Sequence, residues 1–352
     1  MTGDKEFIFL TDDYRGGANT FINNHINYLA KKKQKVILFN QNPMKNFEKL
    51  NKNIEIYNFD LNKNKSNVMK ILKNRINLDK KQRYFVMTNF AFLIKFYFFF
   101  SSFNKNNNKI ILTIHSGIYH LNLKYYLAGI FFSLIYKKID YLFFGSKSAK
   151  LWWKKNYPWM NIDKSLIHLN GVRIQKKVLY KKIKKKIKIS FAGRIEKENN
   201  PELFLRLATE YLKNDSNAIF NIYGDGTLEK FLKKKYQDTR NIIFHGWSKK
   251  EMIYKNSNII VITSPINNFP YVALEAKSYG VPVVSCSKGD IKKIINNGID
   301  GYLSKTISIK KLIILLKKIK MSYTKFSKNC LINSYRFDLD ISCQKFWSSV
   351  ND

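Results

Sequence analysis

Cysteine and proline are scarce in this chain of 352 residues, with three of the first and six of the second. Cys286, Cys330 and Cys343 are odd in number, far apart and without CxxC or Cys/His spacing, so no disulfide framework or zinc site is expected and a reducing compartment fits. Few prolines beside 45% apolar and 15% aromatic residues exclude disordered, collagen-like and low-complexity classes. Long apolar runs are also missing. The longest, 90–103 and 125–136, fall short of the roughly 18–20 residues that span a bilayer, and their Phe, Tyr and flanking Lys suit an interfacial segment as well as a core helix. The acidic, polar start MTGDKEF lacks the basic region and long apolar core of a signal peptide, so a cytoplasmic protein is expected.

Acidic residues are outnumbered 25 to 63 by basic ones, a formal net charge of +38. Such a field attracts nucleic acid, acidic lipid or a phosphate-bearing substrate. Lys, Asn, Ile, Phe and Tyr are all heavy, as in the product of an AT-rich coding sequence, so compositional drift onto solvated faces is an equal reading of the charge. No HExxH, GxSxG or Walker-A sequence is present.

The length suits two α/β cores better than one. In the first half, strand candidates at 7–10, 36–39, 54–57, 84–88, 109–114, 141–144 and 166–169 alternate with helix-length segments, the first helix covering 20–33. That pattern predicts a Rossmann-like domain over 1–170. Eight lysines fall within 176–188, a self-repelling run that places a solvated linker at 171–186. A second alternation follows over 187–325, with strands at 187–192, 218–223, 242–244, 259–262 and 281–285 and helices at 200–213, 227–236, 249–255, 271–279 and 290–296. The remainder, 326–352, reads as a helical segment that packs against either domain, including back onto the first.

In doubly wound sheets ligands bind beyond the carboxyl ends of the strands. After the first strand stand Gly16 and Gly17, where paired glycines let backbone amides approach an anion, although such a turn is also common as structure. Gly193 and Arg194 end a later strand, placing a guanidinium where it can grip phosphate or simply face solvent. Gly224-Asp225-Gly226 is a tight strand-to-helix turn. The loop from Pro265 to Glu275 leads into a helix with Pro270 near its first turn, whose amides suit an anion, and Glu275 is placed to take two ribose hydroxyls or to be a solvated carboxylate. His115 follows a strand and precedes a glycine by two residues, which is active-site ground, while a lone histidine is also an ordinary structural residue.

Taken in order, these elements resemble glycosyltransferase family 4, retaining enzymes of the GT-B fold. The resemblance also takes in Ser146 in FGSKS, Asn170-Gly171-Val172, Phe244-His245-Gly246 and, most specifically, FPYVALEAKSYGVPVV from Phe269. It implies two facing Rossmann-like domains with a cleft between them and a nucleotide-sugar as co-substrate, with no other cofactor. It further implies that Arg194 binds the donor diphosphate and Glu275 the ribose. Asn267, Phe269, Pro270, Tyr271 and Val272 would meet sugar and phosphate, Gly193 and Gly224 line the site, and Gly246, Trp247 and Ser248 lie near the base. His115 and the Gly16-Gly17 loop would face the transferred sugar, making Arg194 and His115 the catalytic pair. Three positions depart from the family. Asn267 stands where the first Glu of an E-x7-E pair is usual, Asn199 where a lysine follows the Gly-Arg pair (leaving Lys197 as a substitute), and Lys293 where a Glu is frequent.

The activity implied is retaining transfer from a nucleotide-sugar, UDP-sugar first and GDP-sugar second, to a glycan or lipid-linked acceptor in surface polysaccharide or glycolipid synthesis. No Asp-x-Asp lies at a donor-site strand end; Asp338-Leu339-Asp340 is in the terminal segment, so no metal is expected. Lys31–Lys33, the Phe-rich 90–103 stretch and the basic excess suggest the inner face of an anionic membrane. A sugar-nucleotide epimerase of the same fold, a noncatalytic homologue and a basic nucleic-acid-binding protein are the alternatives, the last without any recognisable module or specific nucleic-acid partner.

Overall fold

The β-branched and aromatic runs of the first half pair into a parallel seven-stranded sheet in a computed structural model that describes residues 5–12, 16–41, 51–59, 70–72, 74, 81–88, 90–95, 108–115, 123–175, 180–183 and 185–351. Its strands are β1 (Lys5–Asp12), β2 (Lys35–Gln41), β3 (Ile54–Phe59), β4 (Gln82–Met87), β5 (Asn108–Ile114), β6 (Tyr141–Phe144) and β7 (Leu166–Ile167), ordered β3-β2-β1-β4-β5-β6-β7. Ile8, Phe9, Leu10, Ile37, Leu38 and Phe39 are all fully buried, as strands covered on both faces require. The helices described are α1 (Gly17–Lys31), α2 (Phe90–Lys95), α3 (Leu123–Ile135) and α4 (Lys147–Asn156). Helix α1 buries Phe21, Ile22, His25, Ile26 and Leu29, the stripe that 3.6-residue periodicity lays on one face. Residues 96–103 of the Phe-rich stretch lie outside the described residues.

The second sheet is also parallel, with β8 (Lys188–Ala192), β9 (Ile219–Tyr223), β10 (Ile242–Gly246), β11 (Ile259–Ile262), β12 (Val283–Ser285) and β13 (Gly301–Leu303) in the order β10-β9-β8-β11-β12-β13. Its helices are α5 (Pro201–Leu212), α6 (Glu229–Lys235), α7 (Lys250–Lys255), α8 (Tyr271–Ser278), α9 (Ile309–Met321) and α10 (Tyr323–Ser334); the last helix of the chain, α11 (Leu339–Asn351), belongs from Cys343 onward to the first unit. Strand β13 and helix α9 go beyond the elements expected from sequence, α10 and α11 fall largely within the helical segment expected over 326–352, and the helix expected at 290–296 is a single 3-10 turn, Asp290–Lys293. Three residues are too few for alternation to register. Helix α9 does carry a stripe, Leu312, Leu315, Leu316 and Ile319, among lysines that hide it.

The chain divides into a unit of Met1–Leu169 with Cys343–Asp352 and a unit of Asn170–Ser342. The second unit therefore takes in the segment 171–186 and continues past 325, because α10 packs on α8 and Val172 pairs with Asp338 while donating its amide to Phe337 O at 2.8 Å. Nor is the lysine run uniformly solvated. The ammonium of Lys181 donates to the carbonyl oxygens of Tyr254, Lys255 (3.4 Å) and Ser257 (3.0 Å), whereas 176–179 and 184 lie outside the described residues. At the C-terminus, Trp347 meets the Phe7 ring edge-on at 4.9 Å and Phe346 lies 4.3 Å from Phe143.

Lys277 and Asp300 form a fully buried ion pair at 2.8 Å in the second unit. Ile294 O and the Asn333 amide at 3.0 Å complete it, so both charges are hydrogen-bonded as well as paired. The three cysteines are buried and form no disulfide. Among the described residues no helix is long and apolar enough to cross a membrane.

Candidate functional site

In the second sheet, strands β8 to β10 are added in one direction before the chain returns to place β11 on the other side of β8. The loops after β8 and β11 thus diverge at a switch point, where α/β sheets bind ligands. Backbone hydrogen bonds lace the neighbouring strand ends together: Gly193 N to Tyr223 O at 3.0 Å, Ile195 N to Asp225 O at 2.7 Å and Gly224 N to Gly246 O at 2.8 Å. Gly224 has φ 132°, and a Cβ there would overlap the carbonyl oxygen of Gly193, so only glycine allows the two loops this approach.

Arg194 projects from this lacing with its side chain 46% exposed and its guanidinium 2.9 Å from Glu198. The pairing restrains a flexible side chain while leaving it accessible. Asn199 donates to Arg194 O at 2.8 Å and accepts at its own carbonyl from Thr263 Oγ1 at 2.9 Å. Asn199, where the resemblance calls for a lysine, is therefore a brace between the loops after β8 and β11. Lys197 is exposed beside it. Gly246, with φ 66°, ends β10; Trp247 follows, about half exposed, and Ser248 donates to Gly246 O at 3.4 Å.

Asn267, beyond β11, accepts no carboxylate role but uses its amide nitrogen on Ser264 Oγ and, at 2.9 Å, Ser287 Oγ, while its backbone N–H meets Lys288 O at 2.9 Å. It fixes the loop, and its carbonyl oxygen is the atom suited to a sugar hydroxyl. Phe269 adopts φ 87°, an outlier for an aromatic residue that costs on the order of 1–3 kcal/mol. Asn170 Nδ2 donates to its carbonyl at 3.1 Å, and its buried ring meets Phe337 edge-on at 5.7 Å. This turn aims the chain so that Pro270 becomes the N-cap of α8, with no side chain capping the helix and Tyr271 and Val272 in its first turn. A helix start without a side-chain cap presents amides and a positive dipole end to a bound anion.

Glu275 lies in the second turn of α8. Its Oε2 accepts a 2.8 Å hydrogen bond from Tyr254 OH. Burial pushes the Tyr254 phenol well above its ordinary range, with the Glu275 charge adding to the effect, so the hydroxyl is a standing donor. Sequence reading missed Tyr254; its signal was an aromatic residue at the inward position of a short polar helix.

In the first unit the chain reversal falls between β1 and β4. Gly16, at φ 133°, is the N-cap of α1 and Gly17 its first residue; the Gly16 carbonyl accepts from Thr20 N at 3.2 Å. Residues 13–15 of that loop lie outside the described residues. His115 follows β5 with its Nε2 3.2 Å from Thr113 Oγ1 and its ring 4.8 Å from Phe21. Phe21 also touches His25 at 4.0 Å and His168 at 5.8 Å, so three imidazoles surround one buried ring. Desolvation lowers His115 to about 4 and His168, helped by His115, to about 3. These groups are neutral near pH 7, which suits hydrogen bonding rather than ion pairing. Ser146 caps α4, its Oγ accepting from Ala149 N at 3.0 Å.

The structure thus gathers Gly193, Arg194, Gly224, Gly246 and the 267–275 loop at the carboxyl edge of the second sheet, and Gly16, Gly17 and His115 at that of the first. Residues 173–335 match the family model of glycosyl transferases group 1. That stretch contains every residue of the second-sheet site. The chain is 24% identical over 275 residues, 70% of its length and 74% of the relative's, to an uncharacterized 41.2 kDa protein in the cps region of Klebsiella pneumoniae. It is 27% identical over 180 residues, 49% of this chain and 46% of the relative, to UDP-Gal:alpha-D-GlcNAc-diphosphoundecaprenol alpha-1,3-galactosyltransferase of Escherichia coli. Among solved structures, Anabaena HepE in complex with UDP and glucose superposes with a TM-score of 0.76 at 13% identity, covering 98% of this chain and 99% of that one. The fold is that of GT-B glycosyltransferases.

Proposed function

We propose that the chain is a retaining, metal-independent hexosyltransferase of family 4 that moves a sugar from a UDP-sugar to a glycan or lipid-linked acceptor in surface polysaccharide or glycolipid synthesis. The observation that carries the reading is the laced strand-end edge of the second sheet, with an exposed Arg194, the α8 start and a tethered Glu275 around one switch point, inside the stretch that matches the family model. In this reading Glu275 takes the ribose hydroxyls, the Gly246–Ser248 turn lies near the base, and Arg194 with the α8 amides meets the diphosphate.

The bond between the anomeric carbon and the phosphate oxygen breaks as negative charge grows on the leaving diphosphate, and these fixed donors stabilise it. The acceptor hydroxyl attacks from the face the nucleotide leaves, its proton passing to the departing phosphate. His115, neutral at the carboxyl edge of the first sheet, is suited to hydrogen-bond a sugar hydroxyl. Support for a UDP donor comes from the names of the Escherichia coli relative and of the HepE complex. Incubation with UDP-sugars and lipid-linked or glycan acceptors tests the proposal: a product with the donor's anomeric configuration, formed in the presence of chelator, is expected. Epimerised nucleotide-sugar formed without acceptor would favour the epimerase instead.

The cytoplasmic, membrane-peripheral placement belongs to the same proposal. Helix α3 exposes Leu127 and Leu134, and Trp159, about half exposed, donates to Ser133 of the same helix at 2.7 Å with exposed Lys137 just beyond. An apolar face edged by lysine on a chain of net charge +38 is complementary to an anionic lipid surface. Binding should require acidic lipid, fall with salt and weaken in Leu134→Glu; equal binding to neutral vesicles, or none to either at low salt, would defeat it.

A further inference from the structure

We infer that Tyr254 is a positioning residue for the donor, holding the Glu275 carboxylate in the one orientation that grips a ribose from both hydroxyls. The inference rests on the ribose reading of Glu275 given above.

A glutamate has three side-chain torsions, and a half-exposed one samples many rotamers. For a carboxylate to accept from two neighbouring hydroxyls at once, its plane and its distance must both be fixed, and ordering it only on binding would lower affinity. Tyr254 removes that freedom. Its hydroxyl donates to Oε2 of Glu275 at 2.8 Å, its ring is 1% exposed and lies 5.5 Å from the Tyr279 ring at the end of the helix that carries Glu275. A carboxylate offers about four acceptor sites, more than a single phenol fills.

Tyr254 is itself clamped. Helix α7 has six residues, too few to be stable alone, and its last carbonyls have no intrahelical partner. The ammonium of Lys181 supplies one, donating to the carbonyls of Tyr254, Lys255 and Ser257. A cation at a helix C-terminus is favoured by the dipole as well. The backbone of Tyr254 is thus held by Lys181 while its hydroxyl holds Glu275, a continuous series of polar contacts from residue 181 to the carboxylate.

A core tyrosine with no bearing on substrate would weaken all ligands alike or none. Calorimetry of the full chain with UDP and with 2′,3′-dideoxy-UDP separates the cases. Tyr254→Phe should weaken UDP about tenfold, as loss of a hydrogen bond to a charged group does, and leave the dideoxy compound unchanged. Glu275→Gln should weaken UDP further, again without effect on the dideoxy compound. Equal losses for both nucleotides in Tyr254→Phe, or no loss for either, would overturn the inference while Glu275→Gln still upheld the ribose reading. Unchanged UDP affinity in Glu275→Gln, or no UDP binding by the unaltered chain, would remove that reading and the inference with it. Should Tyr254→Phe not fold, Lys181→Met decides: a smaller loss confined to UDP supports positioning, and a loss shared by the dideoxy compound contradicts it.

Discussion

The first sheet runs β3-β2-β1-β4-β5-β6-β7 and the second β10-β9-β8-β11-β12-β13, so in each the first strand sits beside the fourth across a chain reversal. What lies at the carboxyl edge differs. In the second unit, glycine turns bind one another through their backbones and leave an exposed guanidinium, a helix start and a braced carboxylate at the edge. In the first, His115 is packed with His25 and His168 around Phe21. One edge concentrates fixed charge and dipole, as a phosphate ligand demands; the other offers neutral imidazole among aromatic rings. A shared winding thus specifies where chemistry sits without specifying which chemistry.

The sharpest way to separate the two units is to break one core. Lys277→Met leaves Asp300 buried without its cation, which should cost the second unit about 3–5 kcal/mol. Calorimetric unfolding is expected to show that unit's transition moving down while the first unit's holds; a shift of both together would mean that they unfold as one. Arg194→Ala tests the charged edge alone. Transfer should fall by at least about a hundredfold, near 3 kcal/mol of transition-state stabilisation, with unfolding unchanged because the side chain is exposed on a surface loop. Near-normal turnover would take Arg194 out of the mechanism.

Acid should act on the first unit before the second. His115 and His168 have folded values of about 4 and about 3 against an unfolded value near 6.5. The unfolded chain therefore binds more protons below pH 6.5, and stability is lost as pH falls from there towards the folded values. At pH 5 each histidine costs about 2 kcal/mol. His168→Gln should flatten the pH dependence of the first unit's unfolding between pH 6.5 and 5, and an unaltered profile would show that the cluster is not its source.

The strands of both units were legible because apolar runs of four to seven residues ended in polar or glycine turns. The second-unit edge was legible in its residue types: Gly193, Arg194, Gly224 and Gly246 occur at strand ends, Asn267 in the loop after β11 and Glu275 in the helix that follows. What those residues hold on to was not. Nothing in the spacing says that Asn199 braces the Arg194 loop to Thr263, that Tyr254 reaches Glu275, or that Lys181 leaves the solvated run to cap α7, since each contact joins residues far apart in sequence or turns on which way a side chain points. Strand β13 was too short to show a period, and the stripe of α9 was masked by lysines. The Lys277–Asp300 pair was invisible for a different reason: charged residues are read as surface until a partner is seen.

The central claim, that the switch-point edge of the second sheet holds the donor nucleotide, is tested most directly by hydrogen exchange of the full chain with and without UDP. Amides of 193–196, 224–226, 246–248 and 267–275 should slow in the presence of saturating UDP, with the first turn of α8 among the most protected. Protection absent from these four segments, under conditions where calorimetry shows the nucleotide bound, would contradict the claim and place the donor elsewhere in the chain.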